Sequence, residues 1–224
     1  MRKIGSLALV GALTLVGATQ SQANLVANGD FTANASSYTA GPGYNNTGGN
    51  PTISGWSGYP DESGKGLNGP LTSVGDAFGP VNTGGYTYAF IQNPGALYQF
   101  LPLAVDTTYT LDIDIAGRAG FAADAFSVKF GDPLAPFWDS DALNGGNPIP
   151  ASEGVFTHYT VNFTTPAIFA NGPGLVTIQL WNSSGAGDTA VDFANVSVVA
   201  VPEPLTAALA GLGLASLAIF RRRK

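Results

Sequence analysis

The amino-acid sequence contains no cysteine, and it has one histidine and one methionine among 224 residues. Without cysteine, disulfide bonds, thiol catalysis and zinc–thiolate sites are excluded. Basic residues are also scarce, because the stretch from Asn24 to Val201 has three of them against fourteen acidic residues, a net charge of −11. Nucleic-acid binding needs clustered positive charge, so this balance argues against a nucleic-acid partner.

The first 23 residues have the pattern of a secretory signal peptide. Met1-Arg2-Lys3 is a positive start, an apolar stretch follows from Leu7 to Val16, and Ser21-Gln22-Ala23 presents small residues to signal peptidase. We expect cleavage after Ala23. The alternative is an uncleaved anchor, which fits less well because the apolar stretch is short and interrupted by Gly11.

The C-terminal residues predict a membrane-spanning helix. The run from Leu205 to Phe220 is 16 apolar or small residues without a charge, and a basic cluster follows it, Arg221, Arg222, Arg223 and Lys224. At about 1.5 Å per residue the helix would be roughly 24 Å long, slightly shorter than the ~30 Å hydrocarbon core. We expect the basic cluster to stay in the cytoplasm, with the rest of the protein outside the inner membrane.

A short motif precedes this helix. Val201, Pro202, Glu203 and Pro204, then a small-residue-rich apolar helix and a terminal basic cluster, resemble the PEP-CTERM sorting signal of Gram-negative bacteria over residues 201–224. The resemblance implies that an exosortase processes the chain after transient anchoring in the inner membrane. It also implies delivery to the cell surface or extracellular matrix, often in organisms that make exopolysaccharide. The alternative is an ordinary single-span tail anchor.

Between the two targeting ends, residues 24–200 have the length of one domain. Up to Pro80 the chain is rich in turn residues and predicts long loops tethered by short strands. Alternating apolar and polar positions then predict seven strands and an all-β, two-sheet antiparallel sandwich. The strands are Tyr86 to Asn93, Ala96 to Leu101, Thr107 to Ala116, Ala125 to Phe130, Val155 to Thr164, Leu175 to Asn182 and Thr189 to Val199.

This central stretch also resembles a galactose-binding-domain-like jelly roll of the carbohydrate-binding-module kind. The resemblance lies in the order of several short segments: Asn24 to Phe31, Ser54-Gly55-Trp56, Tyr98-Gln99, Thr107 to Leu111 and Asn195 to Val198. Such modules often hold a structural calcium through an acid just after the opening motif and an Asp in the last strand. Here Thr32 and Ala194-Asn195 occupy those positions, which leaves Asp30 and Asp192 as the candidate ligands.

Strand alternation places Trp181 on the outward side of its strand together with Gln179 and Thr177. A sugar ring stacks on an indole while amides bind its hydroxyls, so Trp181 and Gln179 are the candidate glycan-binding residues. The alternative is a Trp covered by a loop. We expect Trp56 in the core, and we place Trp138 and Tyr59 in loops.

Catalytic residues are not evident. His158 is the one candidate base for a Ser-His-Asp triad, but it sits in a strand without a nucleophile elbow. Asp112 and Asp114 lie on one side of one strand, which is typical of a solvated acidic surface and not of paired glycosidase acids. The run Asp139 to Gly145 begins like a calcium loop, but Leu143 stands at a ligand position. We therefore expect a non-catalytic surface or matrix protein that associates with polysaccharide. The alternatives are an adhesive protein without glycan binding and, third, a secreted hydrolase.

Overall fold

The computed structural model describes residues 22–33, 35–37, 53–59, 64–69, 85–120, 124–132, 135–170, 176–185 and 188–202. Residues 1–21 of the predicted signal peptide and the apolar run 205–220 with its basic cluster lie outside the described residues, as do Glu203 and Pro204 of the predicted sorting motif. Within the described part of the chain, no helix is long and apolar enough to cross a membrane. Residues Ala23–Val201 form one compact unit.

In the described residues eleven strands alternate with turns, and the helical elements are two 3₁₀ turns, Ala35–Ser37 and Ser140–Asn144. The strands are β1 (Ser57–Tyr59), β2 (Gly64–Asn68), β3 (Tyr88–Gln92), β4 (Gly95–Leu101), β5 (Thr108–Gly117), β6 (Ala125–Asp132), β7 (Ala135–Asp139), β8 (Ile149–Pro150), β9 (Thr157–Thr164), β10 (Val176–Asn182) and β11 (Ala190–Ala200). The predicted strand-rich fold is confirmed.

The strands form two antiparallel sheets. The five-stranded sheet has the order β2-β3-β11-β5-β9, and the six-stranded sheet has the order β1-β4-β10-β6-β7, with β8 beside β6. Sequence neighbours such as β10 and β11 lie in different sheets, so the chain crosses repeatedly between the layers. The predicted antiparallel β-sandwich of the jelly-roll kind is thus what the chain forms.

One face of each sheet supplies the core. Because side chains alternate along a strand, every second residue points into the space between the sheets. In β5 these are Tyr109, Leu111, Ile113 and Ile115, as predicted, and in β10 they are Val176, Ile178 and Leu180. Burial of such side chains provides most of the stabilisation, at ~25 cal/mol per Å² of apolar surface.

The predicted core of β9 needs one correction. Phe163 is buried, and Tyr159 and Val161 pack against the core. Val155, however, is 56% exposed and lies before the strand begins at Thr157. The apolar residue there extended the alternating pattern by chance, since the chain is still in a turn at Gly154, whose φ is +67°.

β7 and β8 were not predicted, and β1 and β2 lie where short strands were expected without being located. These four strands have two to five residues each, too few for alternation to be recognised. Their consequences are local: Tyr59 ends β1 and Trp138 lies in β7, so the prediction of loops for these two residues was wrong. Trp56 is in the core as predicted, 6% exposed and packed on Phe31 at 5.5 Å between ring centroids.

The N-terminal segment is hydrogen-bonded to β11. Asn24 donates from Nδ2 to the carbonyl of Val196 at 3.1 Å, and its Oδ1 accepts from the backbone N–H of Val198 at 3.0 Å. The N–H of Val196 in turn donates to the carbonyl of Gly29 at 2.9 Å. At Val196 the strand passes a β-bulge between Ala194 and Ser197. A bulge leaves backbone groups unpaired within a ladder, and the N-terminal segment pairs with them.

The amide of Gln99 joins the N-terminal segment to the six-stranded sheet. Its Nε2 donates to the carbonyls of Ala27 and Gly55, at 3.0 and 2.6 Å, and its Oε1 accepts from the N–H of Ala27 at 2.7 Å. The side chain is 8% exposed, and buried amides are stable only when their donors and acceptors are satisfied. The opening motif and the Ser54-Gly55-Trp56 segment are therefore held by one residue of β4.

Candidate functional site

Aromatic side chains gather on the outer face of the six-stranded sheet. Tyr59 of β1, Tyr98 and Phe100 of β4, and Trp181 of β10 all lie on this side, and we call these four residues the aromatic face. Tyr59 and Phe100 are each 59% exposed, while Tyr98 and Trp181 are partly exposed. Exposed aromatic rings that share one surface are more typical of an interaction site than of a monomer surface.

Register explains how Tyr59 and Trp181 meet. Ala96 of β4 is paired with Tyr59 on one side and with Trp181 on the other. The small side chain of Ala96 leaves a gap over β4, and the two rings contact edge to face across it, with centroids 6.1 Å apart and planes at 71°. On the far side of Trp181 the paired residue is Ser127, another small side chain. Ala96 and Ser127 are themselves only 1% exposed, so the accessible surface at this corner belongs to the two rings.

Gln179 does not take the role predicted for it. It is 1% exposed, so it is buried beneath its neighbours and not on an accessible surface beside Trp181. Its Oε1 accepts from the indole N–H of Trp181 at 3.0 Å, and its Nε2 donates to Thr177 Oγ1 at 2.9 Å. Gln179 therefore orients the indole from below, and Trp181 remains the accessible member of the predicted pair.

A charged group borders the aromatic face. Lys129 of β6 pairs in register with Gln179, and its Nζ lies 2.8 Å from Asp139 Oδ2 and 4.0 Å from Asp141 Oδ2. Asp139 also caps the 3₁₀ turn Ser140–Asn144, since its Oδ1 accepts from the N–H of Asp141 at 3.0 Å. The run that began like a calcium loop is therefore a capped helical turn that ends at Gly145 with a φ of +66°.

A second polar cluster lies on the outer face of the five-stranded sheet. His158 Nδ1 is 2.7 Å from Asp114 Oδ1, and its Nε2 is 3.0 Å from Thr160 Oγ1. Thr160 also donates to Asp112 Oδ1 at 2.7 Å. Asp114 is 7% exposed, so the expectation of a simple solvated acidic surface was wrong at this residue. Each of the two carboxylates is bound within the sheet surface and they do not face each other across a cleft.

The two candidate calcium ligands have separate surroundings. Asp30 is exposed and accepts from Thr32 in its own turn, from Oγ1 at 3.0 Å and from the N–H at 3.3 Å. Asp192 is fully buried in β11, paired in register with Phe90. In the part of the chain that is described, no group of three or more His, Asp or Glu residues could hold a metal ion. Calcium binding by this pair stays a prediction.

Asp124, which lies outside these two surfaces, has a shifted pKa. Asp124 is 3% exposed, and its carboxylate accepts from the N–H of Arg118 at 2.7 Å and of Ala190 at 3.2 Å. Burial raises the pKa of Asp124 above its ordinary value, and the two backbone donors offset this in part. The side chain links the end of β5 to the start of β11, which is a structural role.

No family model matches the sequence, and no curated protein matches it. Several solved structures are similar to this chain. The Stig cyclase Fisc from Fischerella sp. TAU, in complex with an indole compound, is 21% identical with a TM-score of 0.55, over 80% of this chain and 97% of that chain. A cyclase from the same organism with 4-(1H-indol-3-yl)butan-2-one is also 21% identical, with a TM-score of 0.55 over 79% and 96% of the two chains.

Carbohydrate-binding modules are also among the similar structures. A family 16 carbohydrate-binding module is 20% identical with a TM-score of 0.43, and the alignment covers 79% of this chain and 99% of the module. At these identities the likeness concerns the fold, a β-sandwich on which unrelated functions occur. What the chain does has to be argued from its own surface.

Proposed function

We propose that the protein is an exported, non-catalytic surface or matrix protein that associates with extracellular polysaccharide through its aromatic face. The observation that carries the proposal is the corner formed by Tyr59 and Trp181, two rings that meet edge to face at 6.1 Å on the outside of the sandwich. A pyranose ring has an apolar face that stacks on an indole, and a second ring at a steep angle limits its position.

Two further observations support a sugar site. Gln179 fixes the indole N–H from below, so little side-chain freedom is lost when a ligand binds. Tyr98 and Phe100 form a second T-shaped pair, with centroids 6.3 Å apart, on the neighbouring strand. A chain of sugars could contact both pairs, whereas a single small ligand would contact one.

The arrangement of the acidic side chains argues against glycosidase catalysis. A glycosidase brings two carboxyl groups to opposite sides of the sugar, roughly 5–10 Å apart. Here the candidate acids Asp112 and Asp114 belong to one strand and are bound to Thr160 and His158. At the border of the aromatic face, Asp139 and Asp141 lie 2.8 and 4.0 Å from Lys129 Nζ.

The export part of the proposal keeps the processing expected from the sequence. Signal peptidase would cut after Ala23, and an exosortase would recognise Pro202-Glu203-Pro204 before release from the membrane to the surface. The hydrogen bonds of the folded unit agree with these limits. Asn24 makes the first side-chain bonds to β11, and the N–H of Val201 donates to the carbonyl of Thr108 at 2.8 Å. Both cuts would thus spare every strand.

Binding is tested with the full chain, purified in detergent, against the producing organism's exopolysaccharide and a panel of polysaccharides. We expect saturable binding that falls about three- to tenfold in Trp181→Ala and in Tyr59→Ala, since an aromatic stack contributes about 0.5–1.5 kcal/mol. Val155→Ala is the control, because Val155 is exposed but does not belong to the aromatic face. Binding to no polysaccharide would overturn the proposal and leave an adhesive protein that contacts other proteins.

Export is tested by the mass of the protein recovered from the cell surface or medium. We expect a chain that begins at Asn24 and lacks residues 205–224. Replacement of Pro202, Glu203 and Pro204 by alanine should leave the tail attached and the protein in the inner membrane. A surface form that keeps its complete tail would argue for an ordinary anchor instead.

A further inference from the structure

We infer that the aromatic face selects uncharged polysaccharides and rejects polyanionic ones such as polyuronates. This inference rests on the proposed function and narrows it to a ligand class. It is carried by the placement of positive charge, because recognition of carboxylate, sulfate or phosphate groups in proteins depends on available Arg and Lys side chains.

The central stretch from Asn24 to Val201 has three basic side chains, and the structure describes all of them. Lys65 is 2% exposed. Arg118 forms an ion pair with Asp188, with Nη1 2.8 Å from Oδ1. Lys129 forms an ion pair with Asp139 at 2.8 Å. Each cation is thus buried or already paired with a carboxylate of the same chain.

Of the three basic residues in the central stretch, Lys129 lies beside the aromatic face, and its surroundings are negative. Ser127 pairs in register with Trp181, and Lys129 follows two residues later on the same side of β6, about 7 Å along the strand. Two carboxylates, Asp139 and Asp141, lie within 4.0 Å of its Nζ. The cluster of Lys129, Asp139 and Asp141 therefore has more negative than positive charge. An anionic sugar bound next to Trp181 would lie within about 8–10 Å of this cluster, the distance over which charges interact in physiological salt.

The long-range field acts in the same direction. The central stretch has a net charge of −11, which repels polyanions before contact and slows their association. An uncharged glycan avoids both penalties and uses the stacking surface of Tyr59 and Trp181. The charge and the shape of the aromatic face therefore both favour uncharged glycans.

The experiment measures dissociation constants of the full chain for uncharged polysaccharides (glucans, mannans, galactans) and for polyuronates, at 20 mM and 500 mM salt. We expect binding to at least one uncharged polysaccharide that changes less than twofold with salt. Polyuronates should bind at least tenfold more weakly at 20 mM salt. Tighter binding of a polyuronate, weakened by salt, would overturn the inference but keep the proposed function. Absence of binding to both classes would remove the proposed function and the inference with it.

A charge variant gives an independent readout. Asp139→Asn keeps the cap of the 3₁₀ turn, because Asn is an equally good N-cap residue, and it releases Lys129 from its closest partner. We expect polyuronate binding at 20 mM salt to rise at least threefold in this variant, with binding of uncharged glycans unchanged. Asp106→Asn is the matched control, since it removes the same charge from an exposed loop. An equal rise in both variants would show that overall charge alone decides, and would overturn the role given to Lys129.

Discussion

Asn195 donates from its side-chain amide to Asp114 Oδ2 at 2.7 Å, and it does so from a backbone with a φ of +49°. Left-handed backbone is unusual outside glycine, although Asn tolerates it better than most residues. The residue lies in the bulge of β11, so an extra residue in one strand aims an amide at a carboxylate in the next. Asp114 is thus bound from two sides, by Asn195 and by His158.

Asp114 should consequently matter more for stability than its neighbour Asp112. In Asp114→Ala we expect a loss of about 2 kcal/mol in the free energy of unfolding, because two polar partners lose a largely buried, charged acceptor. Asp112→Ala should cost about 0.5 kcal/mol, since Asp112 is more exposed and accepts a hydrogen bond from Thr160 alone among the described residues. Urea unfolding of the two variants measures the difference. Equal losses would show that the pairing with Asn195 contributes nothing.

The opening motif depends on a glycine for steric reasons. A Cβ atom on Gly29 would lie 2.0 Å from the carbonyl oxygen of Val196. That distance is a collision, and the oxygen belongs to the backbone of β11, which cannot move without disturbing the ladder. We expect Gly29→Ala to lower the free energy of unfolding by about 1–3 kcal/mol, the usual cost of overpacking.

Gly185→Ala is the control for this variant, because a Cβ there meets no atom within 4 Å. It should change the free energy of unfolding by less than about 0.5 kcal/mol. If the two alanine variants are equally stable, the N-terminal segment does not approach β11 as closely as described.

Asp124 gives the protein a pH dependence with a defined sign. Burial raises its pKa in the folded state above the unfolded value, so folding favours the protonated form. The contribution to stability is therefore complete below the unfolded pKa of about 4 and is lost as the pH rises through the higher folded pKa. The stability of the wild type relative to Asp124→Asn should fall as the pH rises above about 4. Thermal unfolding of both proteins over this range checks the sign, and a relative stability that rises with pH would contradict it.

The long strands were predictable from the sequence, and their faces with them. In β5 the alternation of Tyr109, Leu111, Ile113 and Ile115 with polar residues extends over a complete strand, so one register explains every position. At Val155 the alternation is misleading. An apolar residue next to a strand matches the alternation, but the turn at Gly154 depends on backbone conformation that the pattern does not include.

The candidate site was only partly predictable. Alternation correctly placed Trp181 on the outside of β10, but it could not tell that Gln179, two residues away, is buried. That burial depends on neighbours in other strands, Tyr98 and Lys129, which are paired with it in register. Tyr59 was missed as a partner of Trp181 for a similar reason. The contact joins β1 to β10 across the small side chain of Ala96, and long-range register of this kind is not encoded in local periodicity.

The position of β11 has a mechanical consequence. It is the middle strand of its sheet, with β3 on one side and β5 on the other, and Val201 follows it directly. Antiparallel hydrogen bonds run perpendicular to the strands, so a pull on Val201 along β11 would load the bonds of two ladders in shear and all at once. A pull through β9, at the edge, could open one ladder bond by bond. Any force applied through residues beyond Val201 would thus act on a strand that two neighbouring strands hold.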